Sequence, residues 1–202
     1  MAGPINLVVE GVTDAAVARR LLDEASLVAA AEYVKNGKSP MDKSLAAYNS
    51  AARFSCWLVL RDLDHDEACA PELRKRLLPE PSPHMRFHVP VRAVEAWLLA
   101  DAVNLSRFLA VGLSQVPSNP DALDNPKVAL VNLARKSRKR TILDALVPAA
   151  GSTASVGPGY AASLIEFASA QWRPELAAQS SESLARLRSF LRRCAREQGQ
   201  AC

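Results

Sequence analysis

Three aspartates within five residues, Asp62, Asp64 and Asp66, follow the apolar run Trp57-Leu58-Val59-Leu60. Carboxylates this close repel one another and lose hydration when the chain buries them. A divalent cation such as Mg²⁺ or Mn²⁺ offsets both effects, because hard cations are held by a few carboxylates and waters. The competing reading is a polar loop whose acids face water. A further acid, Glu10, ends a second apolar, β-branched run, Ile5-Asn6-Leu7-Val8-Val9, just before Gly11. If the two runs are neighbouring parallel strands, Glu10 stands beside the aspartates, and Glu10, Asp62 and Asp64 together can hold one or two ions. Such ions polarise a phosphate and lower the pKa of an attacking water, with Glu10 as ligand or general base.

Other residues are candidates on weaker grounds. Asp66 is either a further ligand or a surface acid. Glu95 follows Arg92 by three positions, so the two share a helical face. Glu95 is then an added metal ligand or one half of a surface ion pair. Arg61, Arg92 and the run Arg135-Lys136-Ser137-Arg138-Lys139-Arg140 are candidates for holding phosphate. That run is the densest positive stretch of the chain, either a solvated face or a contact to a nucleic-acid backbone. His65 and His88 read as surface or hydrogen-bonded residues rather than ligands. Lys35-Asn36-Gly37-Lys38-Ser39-Pro40 reads as a surface loop, the alternative being lysines that approach a phosphate. Gly151 to Tyr160 is glycine-rich but lacks the Gly-Lys-Ser/Thr ending of a nucleotide-binding loop.

The elements that must position these residues follow from periodicity. Ile5–Val9 and Trp57–Leu60 read as buried strands. Between them, 15–22 shows helical spacing with Thr13 or Asp14 as N-cap, and Gly11 marks a tight turn where φ can be positive. The segment 27–34 is a strand or the tail of a helix, and 42–53 is an alanine-rich helix. Strand, helix and strand then place the flanking strands parallel with a right-handed crossover. Beyond the acids come a basic helix over 71–78, a strand over 85–91, and helices over 92–101, 105–113 and 127–134, the last opened by Asn125-Pro126. Two closing helices cover 160–172 and 184–196, the second amphipathic. The fold class is α/β, with a mostly parallel sheet flanked by helices. An α/β part over 1–115 is followed by a helical part over 116–202 packed on it as one unit.

Composition bounds the function. The 202 residues are 49% hydrophobic and 23% charged, enough apolar content for a sizeable core. No apolar run approaches the ~20 residues that cross a bilayer, so no membrane partner is expected. Met1-Ala2-Gly3-Pro4 leads straight into a strand without the basic and apolar regions of a signal peptide. Cys56, Cys69, Cys194 and Cys202 form no metal-finger spacing, and the chain reads as a protein of the reducing cytoplasm. A net charge of +4 leans mildly towards a polyanionic partner.

Val9-Glu10-Gly11 with Asp14 and a helix, then an apolar strand ending in Asp62-Leu63-Asp64, resembles the TOPRIM domains of topoisomerases, primases and OLD-type nucleases. The resemblance covers about the first half of the chain. The whole chain also resembles a group of bacterial TOPRIM-like proteins through Val9-Glu10-Gly11, Arg61-Asp62-Leu63-Asp64, Arg92 to Asp101 and Val156-Gly157-Pro158-Gly159-Tyr160. It implies a TOPRIM-like sheet, a Mg²⁺-binding Asp-x-Asp pair, and a glutamate acting as ligand or general acid/base. It also implies a metal-dependent nuclease, with phage or mobile-DNA defence as one setting. The usual glycine after Asp-x-Asp is replaced by His65-Asp66-Glu67. No topoisomerase-type tyrosine or ATPase motif is visible, so a larger machine would need a partner chain such as an ATPase. An oligomer is compatible with this reading. Two alternatives stand beside it: a non-catalytic TOPRIM-like module binding protein or nucleic acid, and a HAD-type phosphatase using Asp62 and Asp64. The latter motif normally opens its domain and is followed by a small residue, unlike His65-Asp66-Glu67.

Overall fold

The computed structural model of the chain describes residues 4–199. Cys202 and the opening Met1-Ala2-Gly3 lie outside that range. In chain order the first half runs β1 (Ile5–Val9), α1 (Val12–Glu24), β2 (Ala29–Val34), α2 (Lys38–Ala51), β3 (Trp57–Leu60), α3 (Ala70–Leu77) and β4 (Met85–His88). The four strands form one all-parallel sheet in the order β2-β1-β3-β4. The expected adjacency of the two apolar runs is present: Val9 pairs with Leu60 in the β1–β3 ladder. The order reverses between β1 and β3, with β1 leading outward to β2 and β3 outward to β4. A crevice therefore opens past the carboxyl ends of these two strands, the usual ligand position in open α/β sheets.

Alternation along the strands feeds two cores. Leu7, Val9, Leu58 and Leu60 face one side, packed with α1 and later helices, while Val8, Val59 and Phe87 face Met41, Leu45 and Leu73 of α2 and α3. Each buried aliphatic or aromatic side chain contributes roughly 1.5–3 kcal/mol relative to exposure. The second half supplies α4 (Val94–Ala100), α5 (Ala102–Leu109), α6 (Pro126–Ala134), α7 (Arg140–Leu146), α8 (Tyr160–Ala170), α9 (Pro174–Ala177) and α10 (Glu182–Gly199). All seven residues of α4 are buried. One continuous apolar cluster reaches from Ile5 through Trp97 and Phe167 to Leu191, so the helical part and the sheet share a core. Among the described residues no helix is long and apolar enough to cross a membrane.

Several boundaries differ from the periodicity reading, each for a local reason. The segment 27–34 resolves as the edge strand β2. The N-cap of α1 is Gly11, not Thr13 or Asp14, and its φ of −138° is extended. Space is tight there instead: a Cβ on Gly11 would lie 3.3 Å from Asp14 Oδ2. Helix α2 starts at Lys38, four residues early, because Pro40 is tolerated in a first turn. Arg92 has φ 55° and lies outside α4, so Arg92 and Glu95 share no helical face. The expected helix over 105–113 stops at Leu109, where Ala110 turns left-handed.

Candidate functional site

Asp62 is the centre of the acidic group. It leaves β3 where strand pairing has just ended, and its Oδ1 accepts the backbone N–H of Val94 at 3.2 Å. That N–H is one of the unpaired donors at the start of α4. Its own N–H donates to Glu10 Oε1 at 2.9 Å, a direct link between the ends of β1 and β3. Asp14, in the first turn of α1, folds back so that its Oδ2 accepts the Gly11 N–H at 2.7 Å. Glu95, only 4% exposed, approaches from α4. It accepts the Tyr160 hydroxyl at 3.2 Å and lies 3.7 Å from Lys127 Nζ.

The electrostatics record this crowding. Burial, then the charges of Asp14, Glu95, Glu10 and Asp64, holds the Asp62 carboxyl well above the usual range. Burial and the neighbouring Glu95 push Asp14 up to about 7. Burial also raises Glu10, against the pull of Arg61 and the Asp62 N–H. Such shifts concentrate where a site is arranged for chemistry, though ion-pair networks produce them as well.

A second layer of the site is neutralised. Arg61 is 1% exposed and its guanidinium turns inward. It reaches Asp42 at 3.1 Å, Asp66 in a short contact, the Asp62 carbonyl likewise, and Glu10 at 3.6 Å. Lys38 Nζ bridges Asp66 at 2.7 Å and Asp64 at 3.1 Å. Burial alone would raise Asp66, but the Lys38 and Arg61 hydrogen bonds outweigh it and hold the carboxyl low. Asp64 and Arg92 are both left-handed, φ 47° and 55°, and lock each other. The Asp64 N–H donates to the Arg92 carbonyl at 2.8 Å, and Arg92 Nη1 donates to the Asp64 carbonyl at 2.7 Å. Left-handed backbone costs a non-glycine residue roughly 1–2 kcal/mol, a strain that tends to collect at functional sites.

Part of this group lines a cleft of about 310 Å³: Lys38, Asp62, Asp64, Asp66 and Arg92 do, whereas Glu10, Asp14, Glu95 and Arg61 are not in its lining. Its lining carries Asp62, Asp64, His65 and Asp66, the segment Asp124 to Lys127 at the start of α6, and Lys38 and Arg92. Among the described residues, no three His, Cys, Asp or Glu side chains stand as a ready-made ligand set for an ion. The donor chemistry nevertheless fits a hard divalent cation: Asp62, Glu10 and Asp14 are oxygen donors whose mutual repulsion no nearby cation fully offsets.

Of the sequence candidates, Glu10, Asp62, Asp64, Asp66 and Glu95 come together, as do Arg61 and Arg92. Arg61 lies beneath the acids and is spent on them, facing no open space. Arg135, Lys136, Arg138, Lys139 and Arg140 are exposed but lie at the far end of α6, roughly 13 Å from the cleft at 1.5 Å per residue. Sequence reasoning missed Asp14 as a member of the acidic group, although its spacing of four from Glu10 across a turn was a usable signal. It also missed Asp42, Lys127 and Tyr160, which reach the site only through tertiary packing. The glycine pair before Tyr160 held a signal too. A Cβ on Gly157 would collide with the Ala145 carbonyl, and one on Gly159 would lie 2.9 Å from Ala145 Cβ. These glycines let α8 start against α7, and that brings Tyr160 to Glu95.

Comparison with family models, with curated proteins and with solved structures returned no match.

Proposed function

We propose that the chain is a Mg²⁺- or Mn²⁺-dependent phosphodiesterase acting on nucleic acid. One observation carries the reading: Glu10 and Asp62, from the ends of adjacent parallel strands, are joined by a hydrogen bond and crowded by Asp14 and Glu95, and Asp62 opens onto a cleft that Lys38, Arg92 and Lys127 also line. Asp62, Glu10, Asp14 and Asp64 would hold the ion, which when bound supplies Lewis-acid polarisation of the phosphate and a more acidic water. Lys38, Arg92 and Lys127 face the cleft and are the groups available to a phosphate oxygen. Glu10, whose carboxyl burial raises and which Arg61 and the Asp62 N–H hold in position, would serve as ligand or as general base. Arg61 acts as a positioning residue: it ties Asp42, Asp66 and Glu10 to one buried charge. Glu95, pinned by Tyr160, keeps Asp62 in a negative surrounding that favours a cation. The TOPRIM resemblance of Val9-Glu10-Gly11 and Asp62-Leu63-Asp64 points the same way, and phage or mobile-DNA defence is the setting it suggests.

The test is cleavage of single- and double-stranded DNA and RNA with Mg²⁺ or Mn²⁺. Loss of cleavage in both Asp62→Asn and Glu10→Gln is expected, with melting temperatures no lower than wild type because each variant removes a repelled buried charge. Undiminished cleavage in both variants sinks the proposal. A second reading, a non-catalytic module that binds nucleic acid or a partner protein such as an ATPase, draws on a different observation. Lys38 and Arg61 already neutralise Asp42, Asp64 and Asp66 without an ion. Nucleic-acid binding unaffected by a chelator, with no cleavage by the wild-type chain, selects it.

A further inference from the structure

At the outer edge of the sheet, away from the acids, a second cavity of about 390 Å³ lies between α3, the Pro79–Pro81 turn and β4. Arg74, Lys75 and Arg86 line it, and no acid does. Arg86 pairs in register with Leu58, four residues before Asp62, so the cavity is roughly 13 Å back along the strand direction from the acidic cleft. It is a separate place on the molecule.

Arg86 is unusual there. Its guanidinium carbon lies 4.6 Å from the Phe190 ring centroid of α10, and Nη2 is 3.4 Å from His88 Nδ1. Its Nε is fully buried and, among the described residues, has no hydrogen-bond partner. Buried N–H donors are almost always paired, and one attached to a charge is the costlier kind to leave unmade. His88 does not compensate it. Burial, then Arg86, drives the His88 pKa down to about 3, so the ring is neutral, and its Nε2 is engaged 3.0 Å from the Ser183 carbonyl. Arg74 on α3 and Arg193 on α10 both add positive charge at Arg86. Among the described residues neither Arg74, Lys75 nor Arg86 has a carboxylate partner. Three cations of one sign line one cavity and lack a counter-charge that an oxyanion supplies. Arginine forks match phosphate geometry in two-point contact, and lysine adds a mobile point charge.

We propose that Arg74, Lys75 and Arg86 form an oxyanion site of phosphate class on the edge of β4. The ligand is either a free phosphate ester or a backbone phosphate of nucleic acid. The site stands whether or not the acidic cleft holds a metal.

The full chain, ¹⁵N-labelled and assigned, is titrated with inorganic phosphate at constant ionic strength while the Arg86 Nε–Hε resonance is followed. A saturable shift of that resonance is expected. The double variant Arg74→Ser/Lys75→Ser, both positions exposed on α3, should weaken binding by roughly tenfold or more, as loss of charge-assisted hydrogen bonds does. A short single-stranded oligonucleotide then identifies the source. Displacement of phosphate, with affinity falling steeply in salt, assigns the site to a nucleic-acid backbone. Retention of phosphate assigns it to a free ester. An Arg86 shift that stays linear and unsaturated, or an affinity unchanged in the double variant, overturns the proposal and leaves Arg86 as a structural cation on Phe190.

Discussion

Replacing Asp14 by asparagine should stabilise the metal-free protein at pH 8 and leave it unchanged at pH 4. Asp14 is 9% exposed and its carboxyl is raised from 3.8 to about 7. Below pH 3.8 it is protonated in both folded and unfolded chains and contributes no penalty. As pH rises from 3.8 through 7, the unfolded chain releases the proton and the folded chain resists doing so. Stability is therefore lost across that window, by about 4 kcal/mol at most. Asparagine keeps an oxygen to accept the Gly11 N–H, now 2.7 Å from Asp14 Oδ2, while removing the charge. We expect Asp14→Asn to gain about 2–4 kcal/mol at pH 8, or roughly 5–15 °C in Tm for a chain of this size. Urea and thermal unfolding in chelator at pH 4, 6 and 8 read the effect, with the gain growing as pH rises. A gain equal at pH 4 and pH 8, or none at either, refutes the repulsive acidic cluster as described.

Lys38→Met removes the ammonium that bridges Asp64 and Asp66. Asp64 is then free for a cation, while Asp66 stays held by Arg61, and Mg²⁺ affinity by calorimetry should rise roughly tenfold, since a unit charge acts twice on a divalent ion. Its effect on stability should stay within about 1 kcal/mol because the pair is half exposed; an unchanged isotherm contradicts the assignment. Gly157→Ala drives a Cβ into the Ala145 carbonyl and should cost about 1–3 kcal/mol, seen as a lower urea midpoint at unchanged m-value. Stability equal to wild type would show that the start of α8 is not held by that close approach.

The parts of the fold legible in the sequence were those written in local pattern. Ile5–Val9 and Trp57–Leu60 are short, mostly apolar runs, and a short helical crossover sets them side by side, which is why the sequence alone pairs Glu10 with Asp62. Asn125-Pro126 announced α6 in the same way, through a cap and a first-turn proline. The less legible parts depend on contacts far apart in the chain. Arg61 looks from sequence like a residue for phosphate, because nothing local shows that Asp42 and Asp66 will enclose it. Arg92 sits at helical spacing from Glu95, yet its left-handed backbone is imposed by hydrogen bonds to Asp64, 28 residues away. The basic run 135–140 carries the strongest charge signal and still lies one helix length from the cleft. Density of charge along the chain says little about where a helix will carry it.

The central claim is that Glu10 and Asp62 are two halves of one cation site. Crystals soaked in millimolar Mn²⁺ and measured at the manganese absorption edge test it most directly. The account predicts an anomalous peak between the Glu10 and Asp62 carboxylates, absent in Asp62→Asn. Well-ordered side chains with no such peak would contradict it.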